Sequence, residues 1–437
     1  MSEPPRGSSL RRWLLLLLLL ALGLRLLAAI LIDRHVRNAG RMFLVEGDAS
    51  GYWELGRKLA SGEDYFIHTP PRYVLRTPGF PLLLAGCMRL VGERVFPVTM
   101  LLAGVGTCCC GLIWALARKL SGHKAALLSL FLVAVAPLQI GSSVQVLSEG
   151  WFSFWLLLSL LGVQPLLRPP GGSRLTESGT SPEPTWRVAL RGLLAGFAAG
   201  AGVLVRPGWI LWPAGVATCL VFAGRGGWRT RCLALAGVCF GCWLVLVPWA
   251  WRNQQICGHW VYTSLWSGPS LYDGLHAGAT GASDMQFFDR EQLGLRMSEY
   301  SVNAEYKRRA WEFVKSDPLR VLELAFLKAG RFLSPVLQAE GFSGGIISIT
   351  CCLWHVTLGA LVLRGSLLQC RRGDWPTLLL LWLPFLQFLL IHLVFVGSVR
   401  YRLPVELPLL VLAGQGLEGC LPKSNPAVAG SATGRSK

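Results

Sequence analysis

One aspartate follows the first apolar run of the chain and is the clearest candidate for acid–base chemistry. The segment VEGDASGYW covers residues 45–53. Read as a helix, it places Asp48 on one face with Tyr52, Leu55 and Leu59. A carboxylate at the start of such a helix can cap backbone N–H groups, accept a proton from a hydroxyl group, or do both.

Several arginines lie at the ends of apolar runs, where a lipid phosphate group would be within reach. A guanidinium group binds phosphate oxygens in a bidentate manner and stays ionised at physiological pH. Arg206 interrupts the apolar stretch GVLVRPGWILW, and an arginine at the centre of a span costs about 3 kcal/mol on insertion scales. A short turn that lets its side chain reach the membrane surface would also explain it. The candidate phosphate ligands are Arg76, Arg206, Arg252, Arg400 and Arg402.

Other polar and aromatic side chains near these runs have two interpretations each. Glu149 begins the fourth apolar run, where an acid either complements the helix dipole or contacts a ligand. The sequence Arg400-Tyr401-Arg402 either anchors two spans at the membrane interface or binds substrate. Tyr52 either belongs to an aromatic belt or stacks against a ligand.

The composition is that of a membrane protein. The 437 residues are 52% hydrophobic and only 15% charged, whereas a soluble domain has roughly a quarter charged residues. The net charge of +18 comes from basic residues in short connections between apolar runs, which indicates positive-inside topology rather than nucleic-acid binding. Arg25, inside the first run, is expected to snorkel or to pack between helices. No Cys or His spacing indicates a metal site, and no cofactor is expected.

Ten apolar runs are long enough to be interpreted as membrane spans. An even count places both termini on one side, and the basic N-terminus and basic connections place that side in the cytoplasm. The connection at 168–187 is rich in Pro, Gly and Ser and is predicted to be a flexible cytoplasmic loop. The predicted spans are 13–32, 95–117, 125–140, 148–167, 188–204, 207–223, 232–250, 345–363, 376–397 and 402–418.

Two long connections, 33–94 and 251–344, are predicted to face outward, the first with the candidate active site. In the second, residues 303–316 show an amphipathic pattern, and Asp317-Pro318 supplies an N-cap and a first-turn proline for another helix. Such helices lie on a membrane surface or pack onto the bundle. We therefore expect one all-α polytopic membrane domain of about ten transmembrane helices, with an amphipathic juxtamembrane helix in the first outward loop.

An ordered set of motifs resembles the GT-C superfamily of membrane glycosyltransferases. The similar branch contains the dolichyl-phosphate-mannose–protein mannosyltransferases and the bacterial aminoarabinose transferases. The motifs extend over nearly the whole chain. They are GDASGYWELGRKLASG, RTPGFPLLLAG, Ser148-Glu149, Arg206-Pro207, VPWAWRN, GPSLYDGLHAG, EYKRRAWEFVKSDP and RYRLPVELPLL.

The resemblance implies transfer of a sugar from a polyprenyl-phosphate donor to a lipid, glycan or protein acceptor on the non-cytoplasmic face of the cell membrane. The anomeric centre would be inverted, with the lipid phosphate as leaving group. Asp48 would be the catalytic base, and the arginines would bind the phosphate. Glu149 would contact the sugar or the acceptor, and Tyr52 would stack against a sugar ring. Many relatives have an Asp-Glu pair in this loop, whereas here Ala49 follows Asp48, so a metal-dependent or paired-acid mechanism is in doubt.

Two other functions are compatible with the sequence. A transporter or flippase of a lipid-linked sugar would hold a phosphate with the same arginines, but such proteins usually show related halves around a midplane site, and no such symmetry is visible. A non-catalytic relative would scaffold a cell-envelope complex. The enzyme interpretation requires that Asp48 and several arginines, far apart in the chain, gather at one lipid headgroup.

Overall fold

The computed structural model describes residues 6–169, 184–336 and 345–421, which form helices and connecting turns without a strand. The predicted all-α polytopic architecture is confirmed, and most of the loop predicted at 168–187 lies outside the described residues. In chain order the helices are α1 (Arg6–Asn38), α2 (Asp48–Ser61), α3 (Gly79–Val91), α4 (Val95–Leu120), α5 (His123–Val135), α6 (Pro137–Ser143), α7 (Glu149–Val163), α8 (Thr185–Val205), α9 (Trp212–Ala223), α10 (Trp228–Cys257), α11 (Ser267–Gly274), α12 (Gln286–Glu291), α13 (Glu299–Ser316), α14 (Pro318–Leu333), α15 (Gly345–Arg372), α16 (Trp375–Val394), α17 (Val399–Glu406) and α18 (Leu409–Glu418).

Six helices within the described ranges are long and apolar enough to cross a membrane: α1, α4, α8, α10, α15 and α16. The bent pair α5–α6 is a seventh candidate if it is one span. The predicted spans 148–167, 207–223 and 402–418 contain shorter helices. The count of ten spans therefore stays a prediction.

Two predicted spans are broken at prolines. The helix axis bends by 63° between α5 and α6, at Pro137, which has no N–H to donate to the carbonyl of Val133. The last predicted span is divided at Leu407-Pro408 into α17 and α18. The apolar content of both runs predicted single helices, but the missing amide hydrogen and the ring of a proline interrupt a helix whatever its hydropathy.

Arg25 satisfies the carbonyl groups that the first of these breaks leaves without helical partners. Its side chain is buried and donates to the carbonyls of Val133 and Ala134 at 3.3 and 3.5 Å, and to the Ala21 carbonyl at 3.0 Å. The guanidinium group thus replaces the hydrogen bond that Pro137 cannot make. Arg25 packs between helices, one of the two roles predicted for it.

Helices α8 and α10 approach each other closely through glycines. A Cβ atom on Gly196 would lie 2.1 Å from the Val238 carbonyl oxygen, and a Cβ atom on Gly241 would lie 2.2 Å from the Leu193 carbonyl oxygen. Small residues at such positions are typical of membrane helix pairs, because packing between the backbones stabilises the pair where lipid removes the hydrophobic driving force. The contact fixes the path of α8 toward Arg206 at its end.

The two long connections pack against each other. The Glu299 carboxylate at the start of α13 accepts hydrogen bonds from the backbone N–H groups of Tyr73 and Val74 at 3.0 and 3.1 Å. Arg252, near the end of α10, donates to the carbonyls of Tyr73 and Tyr65, both at 2.9 Å. These charge-assisted contacts hold residues 65–74 of the first connection in place.

The predicted amphipathic helices of the second connection are present. Tyr306 of α13 is buried, and the Asp317 carboxylate caps α14 by accepting from the Arg320 N–H at 3.0 Å. The predicted apolar face of α14 points away from the protein, since Leu319 and Phe326 are 79% and 71% exposed. An exposed apolar face of this kind is expected where a helix lies on a bilayer.

We expect the substitution Arg25→Met to lower the free energy of unfolding by about 2 kcal/mol, because it leaves buried carbonyl groups without donors. Thermal unfolding of the detergent-solubilised protein, followed by tryptophan fluorescence, measures the change. Arg34→Met is the matched control, because Arg34 belongs to the same helix and is exposed. An Arg25→Met protein as stable as the Arg34→Met protein would show that burial of the charge costs as much as its hydrogen bonds contribute.

Candidate active site

Asp48 is the first residue of α2, and its carboxylate lies between two arginines. Arg76 Nη2 donates to Oδ1 and Arg400 Nη1 donates to Oδ2, both at 2.7 Å. The N-cap residue is Gly47, and no side chain caps this helix. The Asp48 carboxylate therefore faces its arginine partners and does not act as the cap that the helix pattern allowed.

Glu149, the first residue of α7, pairs with arginines in the same way. Arg206 Nη2 donates to Glu149 Oε1 at 2.6 Å, and Arg400 Nε donates to the same oxygen. Arg400 thus bridges Asp48 and Glu149 with two nitrogens of one guanidinium group. Asp48, Arg76, Glu149, Arg206 and Arg400 together form one ionic cluster, called here the charge network.

Close backbone packing at Gly79 brings the first connection to the end of α8. A Cβ atom on Gly79 would lie 2.6 Å from the Leu204 carbonyl oxygen, so a larger residue would displace the turn. The indole N–H of Trp151 donates to the Gly79 carbonyl at 3.1 Å and joins the same turn to α7. The turn that contains Arg76 is consequently held beside Arg206.

The turn before Arg400 is held by side chains of α14. Lys328 Nζ donates to the Val394 carbonyl at 2.7 Å, at the end of α16. Arg331 Nε donates to the Gly397 carbonyl at 3.3 Å. These bonds satisfy carbonyl groups after the helix end and fix the backbone three residues before Arg400.

A cavity of about 290 Å³ opens beside the charge network. Asp48 and the arginines Arg76, Arg206 and Arg400 line it. Glu149 does not line it, and its side chain is only 2% exposed. The remaining wall supplies hydroxyl, aromatic and apolar groups, among them Thr77, Ser148, Ser264, Trp266, Ser267, Ser270, Phe388, Ile391, His392 and Phe395.

Two tyrosine rings support the cations of the cavity. The centre of the Tyr52 ring lies 4.4 Å from Arg76 Cζ, and that of the Tyr401 ring lies 5.1 Å from Arg206 Cζ. A guanidinium group over the face of an aromatic ring is stabilised by the electron density of that face. Both rings therefore help to hold the guanidinium groups toward the cavity.

The charge network carries excess positive charge, because three guanidinium groups face two carboxylates. Burial opposes ionisation of Asp48, but the charges of Arg76 and Arg400 outweigh it and hold the pKa of its carboxyl below the usual range. Asp48 is therefore ionised at physiological pH. It is a weak base as long as both arginines remain bound to it.

Six of the candidate substrate ligands surround Asp48, and two do not. Arg252 contacts the Tyr65 and Trp249 rings and does not line the cavity. Arg402 donates to Glu406 at 2.8 Å and lines a separate cavity. Arg402 follows Arg400 by two residues, so it emerges on another side of α17. The six that gather are Tyr52, Arg76, Glu149, Arg206, Arg400 and Tyr401.

The cavity also contains residues that the sequence interpretation missed. The His392 ring stacks on Tyr401 with ring centres 4.5 Å apart. An ionisable residue inside an apolar run is itself a sign of function, so the sequence contained a signal for His392. Trp266 and Ser270 come from the second connection; Ser270 lies in the motif GPSLYDGLHAG, whereas no motif contains Trp266.

The residues of the site do not fit a divalent cation. Both oxygens of Asp48 accept hydrogen bonds from arginines, and three guanidinium groups would repel a metal ion. Within the described ranges, no group of three or more His, Cys, Asp or Glu side chains is placed to hold one. An anion suits this set of side chains better.

Comparisons with known proteins find solved structures that are similar to this chain. No family model matches the chain, and no curated protein matches it. The archaeal oligosaccharyltransferase AglB from Archaeoglobus fulgidus, in complex with an inhibitory peptide and a dolichol-phosphate, matches with a TM-score of 0.56 at 14% identity, over 94% of this chain and 50% of its own. ArnT from Cupriavidus metallidurans bound to undecaprenyl phosphate matches with a TM-score of 0.45 at 16% identity, over 93% of this chain and 78% of its own.

The chain thus spans about half the length of the archaeal oligosaccharyltransferase. At this level of identity the similarity concerns the fold. The chain shares its fold with the archaeal oligosaccharyltransferase, which agrees with the GT-C resemblance of its ordered sequence motifs.

Proposed function

We propose that this protein is an integral membrane glycosyltransferase that moves a sugar from a polyprenyl-phosphate donor to an acceptor on the non-cytoplasmic face. The observation that carries the proposal is the position of Asp48 in a cavity with three arginines, within a network that has excess positive charge. The archaeal enzyme of the same fold is described in complex with a dolichol-phosphate, which supports a lipid phosphate as ligand.

The donor phosphate would lie against Arg76, Arg206 and Arg400. A phosphodiester carries one negative charge, which the excess charge of the network balances. Charge on the phosphate increases as the sugar leaves, and cations already fixed in place stabilise that charge without rearrangement. The apolar side chains of Phe388 and Ile391 in the same cavity would contact the start of the polyprenyl chain.

The reaction forms one bond to the anomeric carbon and breaks another. The acceptor hydroxyl oxygen attacks the anomeric carbon from the side opposite the phosphate, which inverts the configuration. The bond to the phosphate oxygen breaks, and its electron pair leaves with the lipid phosphate. The acceptor proton passes to Asp48, which acts as general base.

Donor binding would increase the basicity of Asp48. In the structure, Arg76 and Arg400 bind its two oxygens and stabilise the ionised form. A phosphate that draws these guanidinium groups toward itself weakens that stabilisation, so the pKa of Asp48 rises toward the ordinary value of about 4. The base would thereby become effective when the donor is in place.

The positive-inside distribution of basic connections orients the chain in this proposal. Both termini would lie in the cytoplasm, and the end of the bundle with Asp48 and the two long connections would face the other side of the cell membrane. The acceptor would then be an exported lipid, glycan or protein.

We expect Asp48→Asn to reduce sugar transfer by about 100-fold or more, because the amide cannot accept a proton. Purified protein in proteoliposomes with radiolabelled polyprenyl-phosphate sugars provides the measurement. The matched control is Asp64→Asn, an exposed aspartate of the same connection. Full transfer by the Asp48→Asn protein would remove the residue from the mechanism. If the wild-type protein moves the donor across the bilayer without transfer, the protein is a flippase.

We expect Arg400→Gln to raise KM for the donor and to lower kcat by about 100-fold. The reason is that the Arg400 guanidinium group would contact the phosphate both in the bound donor and in the transition state. Initial rates at varied donor concentration separate the two constants. Arg34→Gln, at an exposed arginine of α1, should change neither. A lower thermal stability with unchanged kcat and KM would make Arg400 a purely structural residue.

The pH dependence tests the competition between Asp48 and the donor phosphate for the arginines. The acid limb of kcat/KM reports the free protein, in which the pKa of Asp48 lies below its usual range. The acid limb of kcat reports the donor complex, in which that pKa is higher. We therefore expect the kcat limb at the higher pH. If the acid limbs of kcat and kcat/KM lie at the same pH, the donor phosphate does not draw Arg76 and Arg400 away from Asp48.

A further inference from the structure

A second cavity, of about 450 Å³, lies between the two long connections. It is called here the loop cleft and is defined by His68 and Arg72 of the first connection and by Trp266, Phe288, Asp289 and Gln292 of the second. None of these residues except Trp266 lines the cavity of the charge network. The mechanism proposed above uses none of the others.

Trp266 connects the loop cleft to the candidate active site, because it lines both cavities. The two cavities therefore adjoin at this side chain. A ligand there can therefore be part of a substrate that also occupies the active site.

The floor of the loop cleft is aromatic. The Trp266 and Phe288 rings meet edge to face with their centres 4.8 Å apart. Arg72 Cζ lies 4.5 Å from the centre of the Phe288 ring. A Cβ atom on Gly294 would lie 2.6 Å from Arg72 Nη2, so glycine at this position leaves the space that the guanidinium group occupies.

The polar side chains of the loop cleft leave hydrogen-bonding capacity unused within the part of the chain that the structure describes, although Arg72 packs on the Phe288 ring. The side chains of His68, Arg72, Asp289 and Gln292 form no hydrogen bond and no ion pair there. Elsewhere on the two connections, Arg252 and Glu299 make hydrogen bonds to backbone groups that join the segments. The loop cleft thus presents both donors and acceptors that are available to a ligand.

The backbone of the loop cleft is strained at two positions. His68 and Gln292, with φ of 70° and 48°, are the two non-glycine residues of the described ranges with positive φ. L-residues adopt this conformation at a cost, and such residues cluster at functional sites. Both belong to the same cavity, one from each connection.

We propose that the loop cleft binds a saccharide ring, an inference that rests on the proposed transferase function. One face of the ring, made of C–H groups, would lie on Trp266 beside Phe288, whose own ring face carries Arg72. Its hydroxyl groups, which donate and accept, would pair with Arg72, Asp289 and Gln292. A phosphate is a poorer match because Asp289 opposes it, and a polyprenyl chain is a poorer match because it leaves these polar groups unpaired.

The saccharide can come from either substrate. It is a ring of a glycan acceptor, or it is a distal ring of a lipid-linked oligosaccharide donor whose first sugar lies at Asp48. The chemistry of recognition is the same in both cases, and kinetic measurements distinguish them.

Binding is tested first with saccharides alone. Saturation-transfer NMR on the full chain in nanodiscs, with oligosaccharides of glucose, mannose and N-acetylglucosamine as probes, should give signals that Phe288→Ala and Arg72→Gln each reduce at least fivefold. The controls are Trp311→Ala and Arg296→Gln, at exposed positions outside the cleft. Absence of wild-type signal, equal signal in all variants, or binding of acidic peptides but of no saccharide would overturn the proposal.

Kinetics then identify the source of the ring. If the loop cleft holds the acceptor, both cleft variants raise KM for a glycan acceptor about tenfold and leave hydrolysis of the donor by water unchanged. If it holds the donor, they slow hydrolysis of an oligosaccharide donor and not of a monosaccharide donor. No effect on any of these rates would overturn a role in the reaction. Saccharide binding by a wild-type protein without transfer or hydrolysis would instead contradict the proposed transferase function alone.

Discussion

The bridging position of Arg400 between Asp48 and Glu149 is the interaction on which the site depends. Charges with little access to water are stable only when partners and hydrogen bonds compensate for lost hydration. Glu149 is almost fully covered and receives both Arg206 and Arg400. Displacement of either arginine would leave a buried carboxylate poorly compensated, so the ends of α7, α8 and α17 must keep their relative positions.

That requirement explains why much of the surrounding structure consists of close backbone contacts. Gly79 lets the Arg76 turn lie against α8, and the glycines of α8 and α10 hold these helices together. Lys328 and Arg331 fix the turn before Arg400. Contacts between backbones are rigid, and a cluster of charges in a low-dielectric environment loses its stabilisation when distances increase.

Asp48 and Glu149, the two acids of the charge network, differ in their access to the cavity, and this difference suits them to different roles. Glu149 lies outside the cavity and can hold Arg206 and Arg400 in place when no anion is bound. Asp48 lines the cavity and is about one-third exposed. In the proposed function, Arg76 and Arg400 turn from Asp48 to the donor phosphate, and the carboxylate becomes available to a hydroxyl group. The same arginines thus pair with the two carboxylates and, in the proposed function, stabilise the leaving phosphate group.

The sequence by itself determined the membrane class, the location of most helices and the identity of most charged groups of the site. Hydropathy, helical periodicity and capping depend on near neighbours in the chain, which is why α2, α13, α14 and the Asp317 cap follow from local pattern. Only the tertiary structure decided which arginines meet Asp48. Arg252 and Arg402 have the same chemistry as Arg76 and Arg400, but their side chains leave the backbone in other directions and bind carbonyl groups or Glu406 instead. Which arginines meet Asp48 depends on how closely the backbones of distant segments approach each other. Patterns among near neighbours in the sequence do not encode this.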